Sequence, residues 1–442
     1  MIRPSSGWSP TNSSHLFPPT GNDCNKFGFG PGPQPNSLHL FPPTGINCNK
    51  FGFGPGRPPK LLQLFPPTGN NCNKFGVGPG VTGELVAPVP VSREQVQRVR
   101  GVGLRLPWGR DLGQTAPVPP ALQVDPSAID LSPADVAAAA ERVAGEVHRT
   151  PVVTSRLLDE AAGAAVFCKC EHLQRVGAFK FRGATNAVRS LTDAEAARGV
   201  ACHSSGNHGA ALSLAARRRG IPAHVVMPRS APAVKRAAIE GYGAIITECE
   251  PNEAARRAGV AAVVAETGAV EIHPYDNTRV IAGAGTAAYE LIEEVPDLDT
   301  VVVPVGGGGL LSGTALAVAG FSAGTVVIAV EPSGADDAQR SFRTGVLHPQ
   351  DAPRTIADGL LTSLSERTLA IARRHVADIV TVDDDQIVAA MRWTWERMKL
   401  VIEPSAAVPV AALHAGLIPG ERIGVILTGG NVDLDRLPWA TP

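Results

Sequence analysis

From about residue 124 onward, short apolar runs alternate with longer alanine-rich segments along the chain. Six of the apolar runs are rich in β-branched residues and have the length of buried strands: residues 165–170, 223–227, 244–247, 300–305, 325–330 and 423–428. The segments between them have helical patterns, and strands joined by helices form parallel sheets that are covered on both faces. The pattern therefore predicts an α/β fold, and the size of the region indicates two lobes with a ligand between them.

One helix start can be read directly from the sequence. Ser132 precedes Pro133, and Asp135 follows before the run VAAAAERVAGEV. Serine is a preferred N-cap, proline is favoured at the first helical position and an acidic side chain stabilises the first turn. We expect a helix to begin at Pro133.

Residues 1–123 have a different, repetitive character. Three copies of a 24-residue unit follow one another from His15, and each contains Phe-Pro-Pro-Thr-Gly, one cysteine and Gly-Pro-Gly. These turns leave no room for a long helix and the units have little apolar surface to share, so we expect this region to be disordered. A metal site made from Cys24, Cys48 and Cys72 is the alternative, but no paired-ligand spacing supports it.

The near-identity of the three copies suggests a recent DNA duplication. One hypothesis is that translation starts downstream of the repeats, and Val124 would be a natural place. The methionines after Met1 lie far into the chain, the first of them at Met227, so a shorter product would need an alternative start codon.

The amino-acid composition disfavours several classes of protein. The 442 residues carry 40 basic and 41 acidic side chains, and a net charge of −1 offers no electrostatic attraction to nucleic acid or to an anionic membrane. The most apolar stretch, residues 301–330, is broken by Pro304 and four glycines, which disfavours a membrane span. Seven cysteines in a chain of this length do not indicate a disulfide scaffold, and the first residues lack the apolar core of a secretory signal. We expect a cytoplasmic protein.

Four motifs carry candidate chemistry, and the first is VGAFKFRGA at residues 176–184. It places Lys180 between Phe179 and Phe181 rather than on a charged face. A lysine that is partly removed from water has a lowered pKa and can form a Schiff base with a carbonyl compound. Considered alone, the segment also fits an ordinary helix start from which a lysine extends to solvent.

The second motif, SSGNHG at residues 204–209, follows an apolar run and precedes an alanine-rich helix. Backbone N–H groups at such a helix start can bind an anion. Ser204, Asn207 and His208 would suit a substrate carboxylate or a cofactor oxygen. An ordinary helix cap is equally compatible with this segment.

The third and fourth motifs are glycine-rich strand ends. VGGGGL at residues 305–310 lets backbone N–H groups converge on a phosphate, and it lacks the spacing of triphosphate-binding and dinucleotide-binding loops. A flexible turn is the alternative. TGGNVDL at residues 428–434 provides the hydroxyl of Thr428 for a ring nitrogen, although strand-Gly-Gly turns are common.

In this order, the four motifs resemble the fold-type II pyridoxal-phosphate enzymes, specifically the serine/threonine dehydratase and serine racemase group. The resemblance covers residues 126–437 and includes VIAGAGT, EPSGADD, TIADG and WERMKLVIEPSAA. It implies a two-lobed fold, with a large lobe from residues 124–200 and 278–442 and a small lobe from residues 201–277. It also implies pyridoxal 5'-phosphate as cofactor and a homodimer as assembly.

The resemblance assigns a role to each motif. Lys180 would hold the cofactor as a Schiff base and take the α-proton of the substrate, while Phe179 packs against the pyridine ring and Asn207 bonds its 3-hydroxyl. Thr428 would face the pyridine nitrogen. Because a neutral hydroxyl does not hold a proton on that nitrogen, the ring is a weaker electron sink and elimination is favoured over transamination. The phosphate-binding residues would be Gly306, Gly307, Gly308, Gly309 and Leu310.

Two further features follow from the resemblance. Ser205, the second serine of SSGNHG, would stand on the opposite face of the cofactor from Lys180, which would permit racemisation by two-sided proton transfer. A serine that fills a tight turn is the alternative. Glu331, the carbonyl of Ala335 and Asp337 match the family's divalent-cation site, and such oxygen ligands suit Mg²⁺ or Ca²⁺. From spacing alone, these acids would be a solvated turn.

These expectations converge on an L-serine/L-threonine dehydratase that forms a 2-keto acid and ammonia from a small hydroxy-amino-acid substrate. Serine racemase and threo-3-hydroxyaspartate dehydratase are the alternatives, since they can share the same residues. A non-catalytic binding protein on the same fold is a remote alternative.

Ala284 stands where glutamine is frequent in the family, which affects no catalytic group. Because the chain ends soon after TGGNVDL, we expect no C-terminal regulatory domain and no isoleucine feedback.

Overall fold

The computed structural model describes residues 129–204, 206–231, 233–350 and 352–440, together with five short strands between residues 13 and 64; at 233–235 and 253 it describes the backbone alone. The chain divides into two compact units, Met1–Asp111 and Leu112–Pro442.

The five strands of the first unit pair equivalent positions of the repeats. One parallel sheet joins β1, β3 and β5 and a second joins β2 to β4, and every pair links residues that are 24 positions apart. Identical segments at a fixed period can pair in register in this way, a feature that the sequence analysis does not predict. Cys24, Cys48 and Cys72 lie outside the described residues, and the disorder of residues 1–123 stays a prediction. The strands are β1 (Ser13–Leu16), β2 (Phe27–Phe29), β3 (Ser37–Leu40), β4 (Phe51–Phe53) and β5 (Leu61–Leu64).

The second unit contains the predicted α/β region. All six predicted strands are present, with ends that differ from the prediction by at most two residues, so the α/β prediction is confirmed. Four further strands are not among these six: β8, which is the apolar run before SSGNHG, β14, which was missed, and the two-residue strands β6 and β11, in which a dipeptide shows no periodicity. The strands are β6 (Val152–Val153), β7 (Ala165–Lys169), β8 (Val200–His203), β9 (Ala223–Pro228), β10 (Ile245–Cys249), β11 (Val270–Glu271), β12 (Thr300–Pro304), β13 (Val326–Pro332), β14 (Asp378–Val382) and β15 (Arg422–Ile426).

These strands form two separate sheets. The larger has the order β14-β13-β12-β15-β7-β6 and is parallel except for β6, which pairs antiparallel to β7. The smaller has the order β10-β9-β8-β11 and is entirely parallel. The smaller sheet comes from one continuous part of the chain, between residues 200 and 271. The exact limits of the two lobes stay a prediction.

Helices cover the sheets, as expected for parallel strands. The first begins at Pro133 as predicted, and the Asp135 carboxylate accepts hydrogen bonds from the backbone N–H and the hydroxyl of Ser132 at 2.8 and 2.7 Å. Among the described residues, no helix combines the length and the apolar character that crossing a bilayer requires. The helices are α1 (Pro133–Val143), α2 (Arg156–Ala162), α3 (Lys180–Arg189), α4 (Asp193–Arg198), α5 (Asn207–Arg219), α6 (Ala233–Gly241), α7 (Glu253–Thr267), α8 (Thr278–Glu294), α9 (Gly309–Phe321), α10 (Asp337–Thr344), α11 (Glu366–His375), α12 (Asp384–Trp393) and α13 (Pro404–His414).

Helix α8 packs closely against the two helices that begin at the chemical motifs. A Cβ added at Gly283 would lie 2.8 Å from Cα of Gly183 in α3, and one added at Gly285 would lie 2.6 Å from the carbonyl oxygen of Gly313 in α9. Only glycine permits backbones to approach this closely. Helix α8 therefore fixes the start of α3, which carries Lys180, relative to the start of α9, which carries the glycine run.

Candidate active site

The four motifs converge on one cavity of about 1110 Å³. SSGNHG follows β8 of the smaller sheet, whereas VGGGGL and TGGNVDL follow β12 and β15 of the larger sheet. Parallel strands present their carboxyl ends at one edge, which is where ligands bind in open α/β sheets. The predicted site residues that line the cavity are Phe179, Lys180, Ser204, Asn207, His208, Gly306, Gly307, Gly308, Gly309, Leu310 and Thr428.

Lys180 begins α3 and reaches into this cavity. Its Nζ donates a hydrogen bond to the carbonyl oxygen of Pro274 at 3.0 Å and lies 5.1 Å from the centre of the Phe179 ring. Although the side chain borders the cavity, the surrounding protein removes the ammonium group from bulk water and lowers its pKa from 10.5 to about 8, against an opposing effect of the Glu403 carboxylate. A substantial neutral fraction near neutral pH makes this amine both a nucleophile and a base.

Asn207, the first residue of α5, is held by two partners that the sequence analysis missed. Its Nδ2 donates to the carboxylate oxygens of Glu403 at 3.0 and 3.2 Å, and its Oδ1 accepts from Nδ2 of Asn431 at 2.9 Å. The backbone N–H of Asn431 also donates to Glu403, at 3.1 Å. The amide of Asn207 is therefore fixed, with its donor side toward Glu403.

Glu403 reaches this position because a glycine lies beneath it. A Cβ added at Gly429 would lie 2.5 Å from Oε1 of Glu403. Glu403 stands inside the motif WERMKLVIEPSAA, directly before the proline that starts α13. A single buried acid at the end of an apolar run was the signal that could have identified it.

His208 is buried and neutral at the back of the site. Its Nε2 donates to the carbonyl oxygen of Ile272 at 2.9 Å, and Nδ1 has no hydrogen-bond partner within the described residues. Burial lowers its pKa to about 3. His208 therefore offers an acceptor and no charge. Ser205 lies outside the described residues, so its role in proton transfer stays a prediction.

The glycine run forms a cradle at the start of α9. Gly308 has a φ of 83°, which glycine adopts without strain, and Gly309 is the first helical residue. A Cβ added at Gly307 would lie 2.4 Å from the ring of Tyr275, a residue that sequence reasoning missed. The N–H groups of a first helical turn have no partner within the helix, so this cradle suits a phosphate.

Thr428 lies at the end of β15 and is buried beside the lysine. Its carbonyl oxygen accepts from the backbone N–H of Phe179 at 2.9 Å, which brings the fourth motif against the first. An amine nucleophile, a phosphate cradle, a fixed amide donor and a hydroxyl thus surround one space. This set of groups fits pyridoxal phosphate.

Arginine side chains line the cavity wall that belongs to α7. Arg256 and Arg257 both border the cavity, and Nε of Arg256 is buried without a hydrogen-bond partner in the described part of the chain. His273 lies beside this wall, where burial lowers its pKa to about 4 and its Nδ1 accepts from the backbone N–H of Asp276 at 3.0 Å. A buried guanidinium donor without a partner favours an anionic group on the ligand.

The predicted cation ligands lie close together at the end of β13. The carboxylate of Glu331 accepts from the backbone N–H groups of Ala338 and Gln339, each at 2.9 Å, and Ala335 is buried in the turn between Glu331 and Asp337. Burial raises the pKa of Glu331 to about 9 and that of Asp337 to about 6.

The donor set at this point suits a hard cation. Within the described residues, no three His, Cys, Asp or Glu side chains come together as a metal site, and the predicted set has two carboxylates and one carbonyl. Oδ2 of Asp337 is buried and has no hydrogen-bond partner among the described residues. Buried carboxylate oxygens and a carbonyl fit Mg²⁺ or Ca²⁺.

Comparison with known proteins agrees with this reading of the site. The family model described as "Pyridoxal-phosphate dependent enzyme" matches residues 143–429. The chain is 53% identical to beta-hydroxyaspartate dehydratase of Paracoccus denitrificans, over 69% of this chain and 98% of that protein. It is 48% identical to L-threo-3-hydroxyaspartate ammonia-lyase of Saccharomyces cerevisiae, over 68% of this chain and 94% of that protein. The crystal structure of serine racemase from Dictyostelium discoideum matches with a TM-score of 0.66 and 43% identity, over 69% of this chain and 99% of that one.

Proposed function

Because this chain belongs to the pyridoxal-phosphate dependent enzymes, we propose that it is an ammonia-lyase that acts on 3-hydroxyaspartate. The reaction eliminates the 3-hydroxyl group together with the α-proton, and hydrolysis of the resulting imine gives oxaloacetate and ammonia. The predicted L-serine/L-threonine dehydratase activity belongs to the same reaction class, and we place L-serine and L-threonine as weaker substrates.

Pyridoxal phosphate supplies a conjugated electron sink that makes the α-hydrogen of a bound amino acid acidic. Lys180 would bind the cofactor covalently through its amine, and the cradle Gly306–Leu310 would hold the phosphate through backbone N–H groups. Asn207 would direct to the 3-hydroxyl the amide N–H that does not bond Glu403, since Glu403 and Asn431 fix that amide. Thr428 would leave the ring nitrogen without a charged partner, which favours elimination.

Lys180 is also the group that we assign to take the α-proton. With a pKa of about 8, its amine is close to the operating pH at which a general base is most effective. The neutral His208 offers a single acceptor at Nδ1 for a substrate donor. The chain retains Lys180, Asn207, the glycine cradle and Thr428, and this argues against a non-catalytic binding protein.

The choice of substrate rests on the buried Nε of Arg256, which has no hydrogen-bond partner in the described part of the chain. A buried donor left without a partner costs about 1–3 kcal/mol, and a carboxylate would remove that cost. The distal carboxylate of 3-hydroxyaspartate supplies this partner, whereas the side chains of serine and threonine do not. Two relatives named for hydroxyaspartate activity support the same choice.

We also propose that Glu331, the carbonyl of Ala335 and Asp337 bind Mg²⁺ or Ca²⁺. Two buried carboxyl groups that form no ion pair within the described residues ionise readily only beside a positive partner, and the cation would provide it. The homodimer, the cytoplasmic location and the racemase activity that would use Ser205 stay predictions.

The direct test is a product assay with the purified protein and pyridoxal phosphate. Oxaloacetate from 3-hydroxyaspartate, pyruvate from L-serine, 2-oxobutyrate from L-threonine and any D-isomers would be quantified in parallel. We expect oxaloacetate to form fastest. Faster release of pyruvate or 2-oxobutyrate would contradict the substrate, and D-serine as main product would replace the lyase by a racemase.

A further inference from the structure

Gln350 lies between the proposed cation site and the active-site cavity. Its Nε2 donates to Oδ1 of Asp337 at 2.5 Å, and its backbone N–H donates to Oγ of Ser363 at 2.7 Å. The side-chain oxygen of Gln350 is buried and has no hydrogen-bond partner within the described residues. The glutamine is therefore anchored at two points while one strong acceptor is left over.

The side chain of the neighbouring Asp337 is in a similar position. Its side chain is fully buried, and Oδ2 also has no partner in the described part of the chain. Two unpartnered acceptors thus flank a single hydrogen bond, and a buried acceptor left in this way costs about 1–3 kcal/mol. Neither Asp337 nor Glu331 forms an ion pair among the described residues, and the nearby Arg340 donates to Asp336 at 2.8 Å instead. A cation accounts for both oxygens and would balance the negative charge of Asp337 and Glu331 when they ionise.

We propose that the side-chain oxygen of Gln350 is a ligand of the cation that we assign to Glu331, the carbonyl of Ala335 and Asp337. Amide oxygens are ordinary ligands of Ca²⁺ and are compatible with Mg²⁺. The inference rests on the cation site proposed above and is independent of the choice of substrate.

This ligand ties the cation to the substrate cavity. The cavity is lined by four consecutive residues, Leu347, His348, Pro349 and Gln350. A cation that holds Gln350 would therefore fix one wall of the space in which the substrate binds. Removal of the cation frees that wall, so we expect it to raise KM more than it lowers kcat.

The test is a calorimetric titration of Ca²⁺ into the chelator-treated holoenzyme. We expect Gln350→Ala to weaken binding at least tenfold relative to the wild type. The matched control is Gln339→Ala, because that side chain is nearby but donates to the carbonyl oxygen of Ile379. The control should bind Ca²⁺ as the wild type does. Gln350→Glu keeps an oxygen at the site but loses the Nε2 donor to Asp337, as Gln350→Ala does, so it should bind Ca²⁺ more tightly than Gln350→Ala.

The outcomes separate this inference from the assignments on which it rests. Wild-type affinity in Gln350→Ala, or binding in Gln350→Glu no tighter than in Gln350→Ala, would overturn the role of Gln350 alone. A wild-type holoenzyme that binds neither Ca²⁺ nor Mg²⁺ would remove the cation site together with this inference, while leaving the ammonia-lyase assignment intact. With binding intact, an unchanged KM on addition of Ca²⁺ would overturn the link to the cavity.

Discussion

The carboxylate of Glu403 holds the amide of Asn207, with Nδ2 of Asn207 3.0 Å from Oε1 and 3.2 Å from Oε2. The two residues are 196 positions apart in the chain. Asn207 begins a helix beside the smaller sheet, whereas Glu403 precedes a helix that packs on the larger sheet. This contact therefore joins the two sheets at the place where the cofactor would bind.

The first prediction concerns this contact. In Glu403→Gln, the new glutamine side chain has one acceptor oxygen where glutamate has two. The amide of Asn207 therefore loses its fixed orientation. Hydrogen bonds to charged groups contribute about 1.5–3 kcal/mol, which corresponds to at least tenfold weaker binding of pyridoxal phosphate. Fluorescence titration of the apoenzyme measures this affinity. Glu396→Gln, at an exposed ion pair, is the control and should bind normally; equal affinities in the two variants would contradict the role of Glu403.

The second prediction concerns the pH dependence of cofactor binding. Only the neutral amine of Lys180 attacks the carbonyl group of pyridoxal phosphate, and burial lowers its pKa from 10.5 to about 8. The neutral fraction increases as the pH rises through that value. Stopped-flow absorbance should therefore show a rate of incorporation that reaches half its maximum near pH 8 and then levels off. A rate that still rises steeply above pH 10 would mean that the lysine is not desolvated.

The third prediction concerns the buried ion network beneath Lys180. Arg182 is fully buried and donates to Glu171 at 2.7 and 2.8 Å and to Glu290 at 2.7 and 2.8 Å, and Lys169 donates to Glu290 at 2.7 Å. Removal of one partner leaves a buried charge uncompensated, which costs about 3–5 kcal/mol. We expect Arg182→Met to lower the free energy of unfolding by about that amount in urea titrations.

The pH dependence of this variant follows from the same charges. Burial acts to raise the pKa of Glu290, but hydrogen bonds from Arg182 and Lys169 outweigh it and hold that pKa below 4.5. In the wild type, Glu290 therefore contributes stability that is present above pH 4.5 and is lost as the pH falls further. Without the arginine, protonation relieves the buried charge, so the deficit of Arg182→Met should shrink at low pH. Arg392→Met removes an exposed pair and should change stability little; a similar loss in both variants would contradict the buried network.

The sequence predicts most of the fold because each of the longer buried strands is a run of β-branched residues between helical segments. Val301 to Val303 in β12 and Val425 and Ile426 in β15 illustrate this, since all are buried in the two central strands of the larger sheet. It also predicts much of the site, because Asn207, the glycine run and Thr428 each follow the carboxyl end of a parallel strand, where ligands bind in α/β sheets. Lys180 was found through its apolar neighbours.

The residues that the sequence did not identify act through contacts between distant parts of the chain. Glu403 and Asn207 meet only after both sheets have formed, and Tyr275 reaches Gly307 only because glycine leaves room for its ring. Arg256 lies in a helix with several charged residues, so nothing in its local sequence distinguishes it from a solvated arginine. Gln350 lies in a loop and carries no charge. The roles of these residues follow from burial and from contacts in the folded chain, which the periodicity and spacing of the sequence do not report.

The proposed binding of a dicarboxylic hydroxy-amino acid by Arg256 can be tested directly through a ratio of kcat/KM values. The ratio for 3-hydroxyaspartate over L-serine would be determined for the wild type, for Arg256→Met and for the exposed control Arg229→Met. A lost bond between charged groups of about 1.5–3 kcal/mol corresponds to a roughly tenfold to hundredfold change. We expect this ratio to favour 3-hydroxyaspartate in the wild type and the control, and to fall by that factor in Arg256→Met. A ratio that favours L-serine in the wild type, or that is the same in all three proteins, would contradict this proposal.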